Sequence, residues 1–160
     1  MKFIVHDEPA LRADSNYISR VDLAPFGFPD LVEQVWLRQE DTGVFVICCI
    51  PFRVYGLALR DRVRTTSDGS LVSEVVERSG RRVLRVLFVA GWGSELPAGA
   101  ERIESLVREL GLLYEWSGDR HIAIDVPAGA DVEGLIGAIR QEERSAGAEW
   151  EWADVEPFSR

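Results

Sequence analysis

Apolar residues in the first half of the chain fall into short runs that turn residues separate. Residues 44–50 form an almost unbroken apolar run, and Pro51 ends it because proline cannot donate to a strand ladder. Residues 31–39 precede this run across a turn at residues 40–43, and the pair predicts a β-hairpin. Further strands are predicted at residues 57–65, 71–77 and 83–90. Such a meander of short strands is typical of a small barrel or a strongly twisted sheet.

The second half of the chain contains segments with helical spacing of apolar positions. Residues 101–110 have that spacing, which predicts a helix that Gly111 ends. A second helix is predicted after Asp131, a residue type suited to the N-cap position. Three more strands are predicted at residues 114–116, 121–126 and 149–155.

The predicted fold class is α+β. An N-terminal β-meander or small barrel is followed by a ferredoxin-like β-α-β-β-α-β unit, because the strand at residues 83–90 precedes the two helices and three strands above. Residues 31–82 form the meander and residues 83–160 the ferredoxin-like unit. Residues 1–30 are predicted to be an irregular arm, since Pro and Gly interrupt any regular element there. The apolar residues expected to pack this arm against the rest, in one compact unit, are Tyr17, Ile18, Phe26 and Phe28.

The chain is acidic, with a formal net charge of -9 and a pI near 4.8. That charge disfavours non-specific binding to nucleic acid, which requires clustered cations against phosphate. The sequence has no apolar run that approaches the roughly 18 residues of a membrane span. The N-terminus has acids and Pro9 where a signal peptide would have its apolar core. We therefore expect a cytoplasmic protein, and we expect it to bind neither membranes nor nucleic acid.

The residues most often used in catalysis are sparse. Cys48 and Cys49 are adjacent, so on a strand they point to opposite faces, and we interpret them as strand residues, with a vicinal redox switch as the alternative. The two histidines are His6 and His121, and no common catalytic or nucleotide-binding motif surrounds either. Asp125 is expected to cap a turn at the end of its strand. No catalytic, cofactor-binding or metal-binding residue is predicted.

Charge is distributed unevenly along the chain. Residues 53–85 contain eight Arg and four acids, whereas residues 101–160 contain 14 acids and six Arg. Arginine presents a planar, bidentate fork that suits phosphate and carboxylate groups. A solvated edge that discourages strand pairing is the alternative interpretation. The candidate binding arginines are Arg60, Arg62, Arg64, Arg78, Arg81 and Arg82.

The C-terminal strand provides a second candidate surface. Alternation places Glu149 and Glu151 on one face and Trp150 with Trp152 on the other. Paired Trp on one face are more often core than contact residues. The acidic face, however, would suit a basic partner, because complementary charge speeds association.

Two segments carry a family resemblance. Residues 50–64, IPFRVYGLALRDRVR, and residues 75–88, VVERSGRRVLRVLF, resemble the bacterial domain of unknown function 4265. The likeness continues through residues 110–111, 114–115, 123–127, 131–132 and Trp150. Members of that family often have Gly where this chain has Arg60, and His where it has Arg81. The resemblance implies a small bacterial cytoplasmic domain and supplies no reaction.

These observations favour a non-enzymatic, acidic protein-binding module of immunity or regulatory type. Its partner would be another protein, and a basic one would match the acidic surface best. One alternative is a module that binds a small ligand or phosphate through the Arg-rich hairpin. A carboxylate-based enzyme is a further alternative, which would require two convergent acids in a pocket.

Overall fold

The computed structural model describes residues 2–89 and 98–154, in which ten strands and two α-helices form a mixed α+β fold with two sheets. The first sheet contains β1 (Lys2–Ile4), β2 (Tyr17–Asp22), β3 (Leu31–Asp41), β4 (Val44–Ile47), β5 (Arg62–Thr65) and β6 (Val72–Glu77), with a 3₁₀ helix at Ala24–Phe26. The second part contains β7 (Arg82–Phe88), α1 (Ala98–Glu109), β8 (Tyr114–Ser117), β9 (His121–Val126), α2 (Glu133–Arg144) and β10 (Ala148–Trp152). None of the helices in the described ranges has the length and apolar character needed to cross a membrane.

The first sheet has the order β1-β3-β4-β5-β6, and β2 also pairs with β3. The β1–β3 pair is parallel and the other pairs are antiparallel. The sheet curls, since a bridge between Arg20 and Leu71 brings β2 close to the start of β6. Its concave side encloses a core that includes Val35, Leu37 and Ile47. Val54 and Leu57, which lie outside the strands, also belong to this core and help to cover that face of the sheet.

The second sheet is antiparallel, in the order β10-β7-β9-β8, and the chain enters it as β-α-β-β-α-β. Alternation along β7 directs Leu84 and Val86 into the core that also contains Ile103 of α1 and Ile139 of α2. The opposite face carries Arg85 and points toward the first sheet. Both faces of the central strands are therefore buried, which matches the unbroken burial of β9.

Residues 48–61, called the connector here, lie between the two sheets. Ile50 and Phe52 from the connector pack with Val83 and Ala123 of the second sheet in a third apolar cluster. Most of the connector is buried without regular secondary structure. Because buried backbone groups need partners, the connector requires hydrogen bonds from outside a regular ladder. Some of them come from other backbone segments, as for the Gly56 N–H, which donates to the Ala153 carbonyl.

Several sequence expectations require correction. The strand predicted at residues 57–65 is confined to Arg62–Thr65, because Arg60 has a left-handed φ of 67° and the chain turns there. The turn is fastened by Asp61, whose carboxylate accepts the Ala58 N–H at 3.0 Å and the Ser79 N–H at 2.7 Å. The predicted strand ends Ala90 and Val155 lie outside the described residues.

The N-terminal arm is more regular than predicted, since it contains β1 and β2. Tyr17 and Ile18 are 47% and 52% exposed, so they do not pack the arm as expected. Val21 and Leu23 do so instead, and Phe26 packs partly against the same core. Ile18 is exposed because it lies on the face of β2 opposite to the buried side chains at 19, 21 and 23, whereas Tyr17 shares their face but stands at the exposed start of the strand.

Candidate functional site

Buried carboxylates hold the connector from both sheets. Glu33 of β3 is fully buried and accepts the backbone N–H groups of Phe52, Arg53 and Val54 at 2.5, 2.7 and 3.1 Å. Burial tends to raise the pKa of Glu33, but the hydrogen bond and charge of His6, the nearby arginine and the backbone N–H lower it overall. Glu33 is therefore an ionised carboxylate that provides the connector with the hydrogen-bond acceptors a neighbouring strand would otherwise supply.

The second sheet supplies matching contacts. Glu115 of β8 accepts the Ile50 N–H at 2.8 Å and the Ala10 N–H at 2.8 Å. Arg85 of β7 donates to the Pro51 carbonyl at 3.1 Å and to the Val54 carbonyl. These charges satisfy backbone groups that the irregular connector leaves unpaired.

His6 lies between the two carboxylates. Its Nδ1 is 2.5 Å from Glu115 Oε2 and its Nε2 is 3.1 Å from Glu33 Oε1, so both ring nitrogens face an acceptor. Burial lowers the pKa of His6, but the Cys49 sulfur, where it is ionised, and the hydrogen bonds to the two carboxylates raise it above its ordinary value. We infer that His6 is a protonated imidazolium that ties the N-terminal segment to both sheets. With 3% of its surface exposed, His6 lies in the interior.

A cleft on the first sheet is lined by four arginines and is called the arginine cleft here. It has a volume of about 620 Å³. Its charged or reactive lining residues are Arg12, Arg38, Arg60, Arg62, Glu40 and Cys48. Arg62 is already neutralised, because its Nε lies 2.7 Å from Glu40 Oε2 and its Nη1 2.6 Å from Glu77 Oε2.

The other three arginines of the cleft keep their charge available. Arg12 lies over the ring of Trp36, with its guanidinium carbon 5.4 Å from the ring centroid. Within residues 2–89 and 98–154, neither Arg12, Arg38 nor Arg60 forms an ion pair with a carboxylate. The cleft is thus a local concentration of positive charge in an acidic protein. Such a cleft attracts anions.

The remaining predicted arginines bind acids of the same chain. Arg64 pairs with Glu74 at 2.8 Å, and Arg82 pairs with Asp154 at 2.8 Å while it lies over the Trp152 ring. Both pairs are exposed. The hairpin at residues 78–82 is therefore not a free basic surface.

Arg78 and Arg81 have more interior partners. Arg78 donates to the Gly56 carbonyl and lies 3.6 Å from Asp61 Oδ2. Arg81 Nε donates to both oxygens of Asp125, at 2.8 and 3.0 Å, and Asp125 is fully buried. Asp125 is thus the buried partner of an arginine rather than a cap on a turn, which corrects the expectation from sequence.

The C-terminal strand divides its acids between two environments. Glu149 is exposed, whereas Glu151 accepts the Tyr55 hydroxyl at 2.5 Å and Arg85 Nη1 at 3.2 Å. Trp150 and Trp152 are half-buried against the helical core. The two acids that were predicted to act together therefore differ in availability, since Glu149 alone has no ion pair within the described ranges.

The cysteines lie on opposite sides, as their adjacency predicted. Cys48 lines the arginine cleft and Cys49 lies in the core near His6, and both are free thiols. Burial raises the pKa of each thiol. Neutral, buried thiols are poor nucleophiles.

Residues 33–152 match the family model described as Domain of unknown function (DUF4265). The chain belongs to this family. The DUF4265 chain is also similar to the crystal structure of a hypothetical protein from Neisseria gonorrhoeae, with a TM-score of 0.66, 16% identity, and coverage of 92% of this chain and 100% of the other. At that identity the likeness shows the fold alone. None of the curated proteins matches the chain.

The DUF4265 resemblance rests largely on residues that fasten the connector. The Phe52 N–H donates to the Glu33 carboxylate, Arg85 donates to connector carbonyls, and Asp61 closes the turn at Arg60. Sequence reasoning assigned no function to Glu33 or Arg85, and it missed Arg12 and Arg38 of the arginine cleft. The uneven distribution of Arg did point to Arg60 and Arg62, which the cleft contains.

Proposed function

We propose that this DUF4265 chain is a non-enzymatic binding module whose arginine cleft receives a small anionic ligand, a carboxylate or a phosphate. The observation that carries the proposal is the convergence of Arg12, Arg38 and Arg60 on one cleft of about 620 Å³ without a carboxylate partner in the described ranges. That volume falls within the range of about 300–1,000 Å³ usual for small-ligand pockets. Guanidinium groups bind both anion types through paired N–H donors.

The backbone at Arg60 gives further support. Its φ of 67° is unfavourable for a residue with a side chain, and the cost is on the order of 1–2 kcal/mol. Strain of this kind is often retained where a side chain has a functional position. Here it places a guanidinium at the rim of the cleft, where Gly would leave none.

The other functional hypotheses have less support from contacts. Binding of a basic protein partner by Glu149 and Glu151 stays a prediction, and Glu151 is engaged by Tyr55 and Arg85. A cytoplasmic location also stays a prediction. The strand order β10-β7-β9-β8 supports a ferredoxin-like assignment for the second sheet, and the curl between β2 and β6 supports a small barrel for the first.

Calorimetric titration with phosphate, citrate and nucleotides at fixed ionic strength tests the proposal, because screening otherwise masks anion binding. We expect Arg38→Gln and Arg60→Gln each to weaken binding by about tenfold or more, the loss of one charge-assisted contact. Arg64→Gln is the matched control, since Arg64 is exposed and paired outside the cleft. Equal weakening in the control, or no binding by any anion tested, would refute the proposal.

A further inference from the structure

A second, smaller cavity lies between the connector and the inner face of the second sheet. Its volume is about 220 Å³. Three strands of the second sheet form its floor. Glu149 of β10 pairs with Leu87 of β7, and Leu87 pairs with His121 of β9. These three side chains therefore stand in one row on the same face. The connector residues Arg53 and Tyr55 line the cavity from the other side.

His121 has an unused hydrogen-bonding atom in this cavity. The residue is 4% exposed, and its buried Nδ1 has no partner within the described parts of the chain. Burial lowers the pKa of His121, and the charges of Arg53 and Arg85 lower it further, to about 3. The ring is therefore neutral at physiological pH and can donate or accept one hydrogen bond at Nδ1. A buried polar atom without a partner is costly, so it marks a place that a ligand or water would satisfy.

The charges that line the cavity are balanced but not all paired. Arg85 and Glu151 bind each other at 3.2 Å. Arg53 and Glu149 also line the cavity. Within the described residues, neither of them forms an ion pair, with each other or with any other group. One unpaired cation and one unpaired anion thus face the same small space.

We propose that this cavity binds a small zwitterion of amino-acid size. Arg53 would bind the carboxylate, Glu149 would bind the ammonium group, and His121 Nδ1 would add a hydrogen bond. A simple anion would suffer repulsion from Glu149, and a simple cation would suffer it from Arg53. A zwitterion satisfies both residues at once and keeps the cavity neutral. This site is separate from the arginine cleft and does not depend on the function proposed for it.

Titration of the full chain with each of the common amino acids, followed by NMR chemical shifts, provides the test. Acetate and methylammonium serve as the two half-ligands. We expect at least one amino acid to bind, with both half-ligands about tenfold weaker or more, since each lacks one charge-assisted contact. Arg53→Gln and Glu149→Gln should each weaken amino-acid binding by about tenfold, and both lie at the cavity rim, so thermal unfolding should stay close to wild type.

Arg12→Gln, in the arginine cleft, is the matched control and should leave amino-acid affinity unchanged. His121→Gln should weaken binding less than the two charge variants, because it removes a neutral contact. Acetate that binds as tightly as the amino acid would overturn the proposal in favour of a plain anion site. The absence of shifts with every amino acid up to about 10 mM, a very weak affinity, would overturn it altogether.

Discussion

The imidazole of His6 lies parallel to the ring of Phe52, with 4.2 Å between ring centroids and 8° between planes. This stacking holds the cation of His6 in line with Glu33 on one side and Glu115 on the other. A single N-terminal residue therefore joins the connector, the first sheet and the second sheet. Removal of the His6 side chain should therefore destabilise the whole fold.

We predict that His6→Ala destabilises the protein by about 3–5 kcal/mol, because it leaves two buried carboxylates without their shared cation. Urea unfolding followed by tryptophan fluorescence measures the change in the free energy of unfolding. Arg64→Ala is the control, since its exposed pair with Glu74 should contribute at most about 1 kcal/mol. A loss at His6 no larger than that of the control would show that the cluster contributes little.

The raised pKa of His6 also predicts a pH dependence. The folded pKa lies well above the unfolded value near 6.5, so the folded state binds the additional proton between these limits. The stabilisation is complete below the unfolded pKa and is lost as pH rises through the folded one. Between about pH 7 and about pH 10, wild-type stability should therefore fall relative to His6→Gln, by at most about 1.4 kcal/mol per pH unit. Parallel pH profiles for the two proteins would contradict a protonated His6.

The regular parts of the fold could be predicted from local patterns. The strand at His121–Val126 and the helix at Ala98–Glu109 follow from apolar runs and helical spacing, which neighbouring residues determine. The order of strands and helices along the chain in the second part of the fold followed from these elements. The turn at Arg60 was missed because a left-handed residue other than Gly or Asn carries no local signal.

The site residues were harder to predict, because their contacts join distant parts of the chain. His6 and Glu115 are 109 residues apart, and Arg82 and Asp154 are 72 apart. A count of charges along residues 53–85 cannot reveal such pairs. The charge count therefore did not show that the arginines of the hairpin pair with acids elsewhere in the chain, and it gave no indication of Arg12.

The buried pair of Arg81 and Asp125 predicts a large difference between adjacent arginines. Arg81→Met should cost roughly 2–4 kcal/mol, because it leaves the Asp125 carboxylate buried without a counter-ion. Arg82→Met, at the first residue of β7, should cost at most about 1 kcal/mol, since its pair with Asp154 is exposed. Chemical denaturation of both variants provides the comparison, and similar losses would contradict the assigned role of Arg81.

A histidine at position 81 tests the charge of the same pair. A protonated imidazole can donate to Asp125 as the guanidinium does. Arg81→His should therefore recover part of the stability that Arg81→Met loses, and the recovery should diminish as pH rises above the pKa of the new histidine. Unfolding of both variants at two pH values tests this. A recovery that does not depend on pH would indicate packing rather than charge.

The left-handed backbone at Arg60 predicts a variant that separates stability from binding. Arg60→Gly removes the strain of a side chain at φ 67° but adds freedom to the unfolded chain, so the free energy of unfolding should change by no more than about 1 kcal/mol, in either direction. The same change removes one of the three unpaired guanidinium groups of the arginine cleft, so anion affinity should fall about tenfold. Arg60→Ala is the matched control, because it removes the charge and keeps the strain. It should lose the same affinity and be less stable than Arg60→Gly, whereas an anion affinity equal to wild type in both variants would remove Arg60 from the binding site.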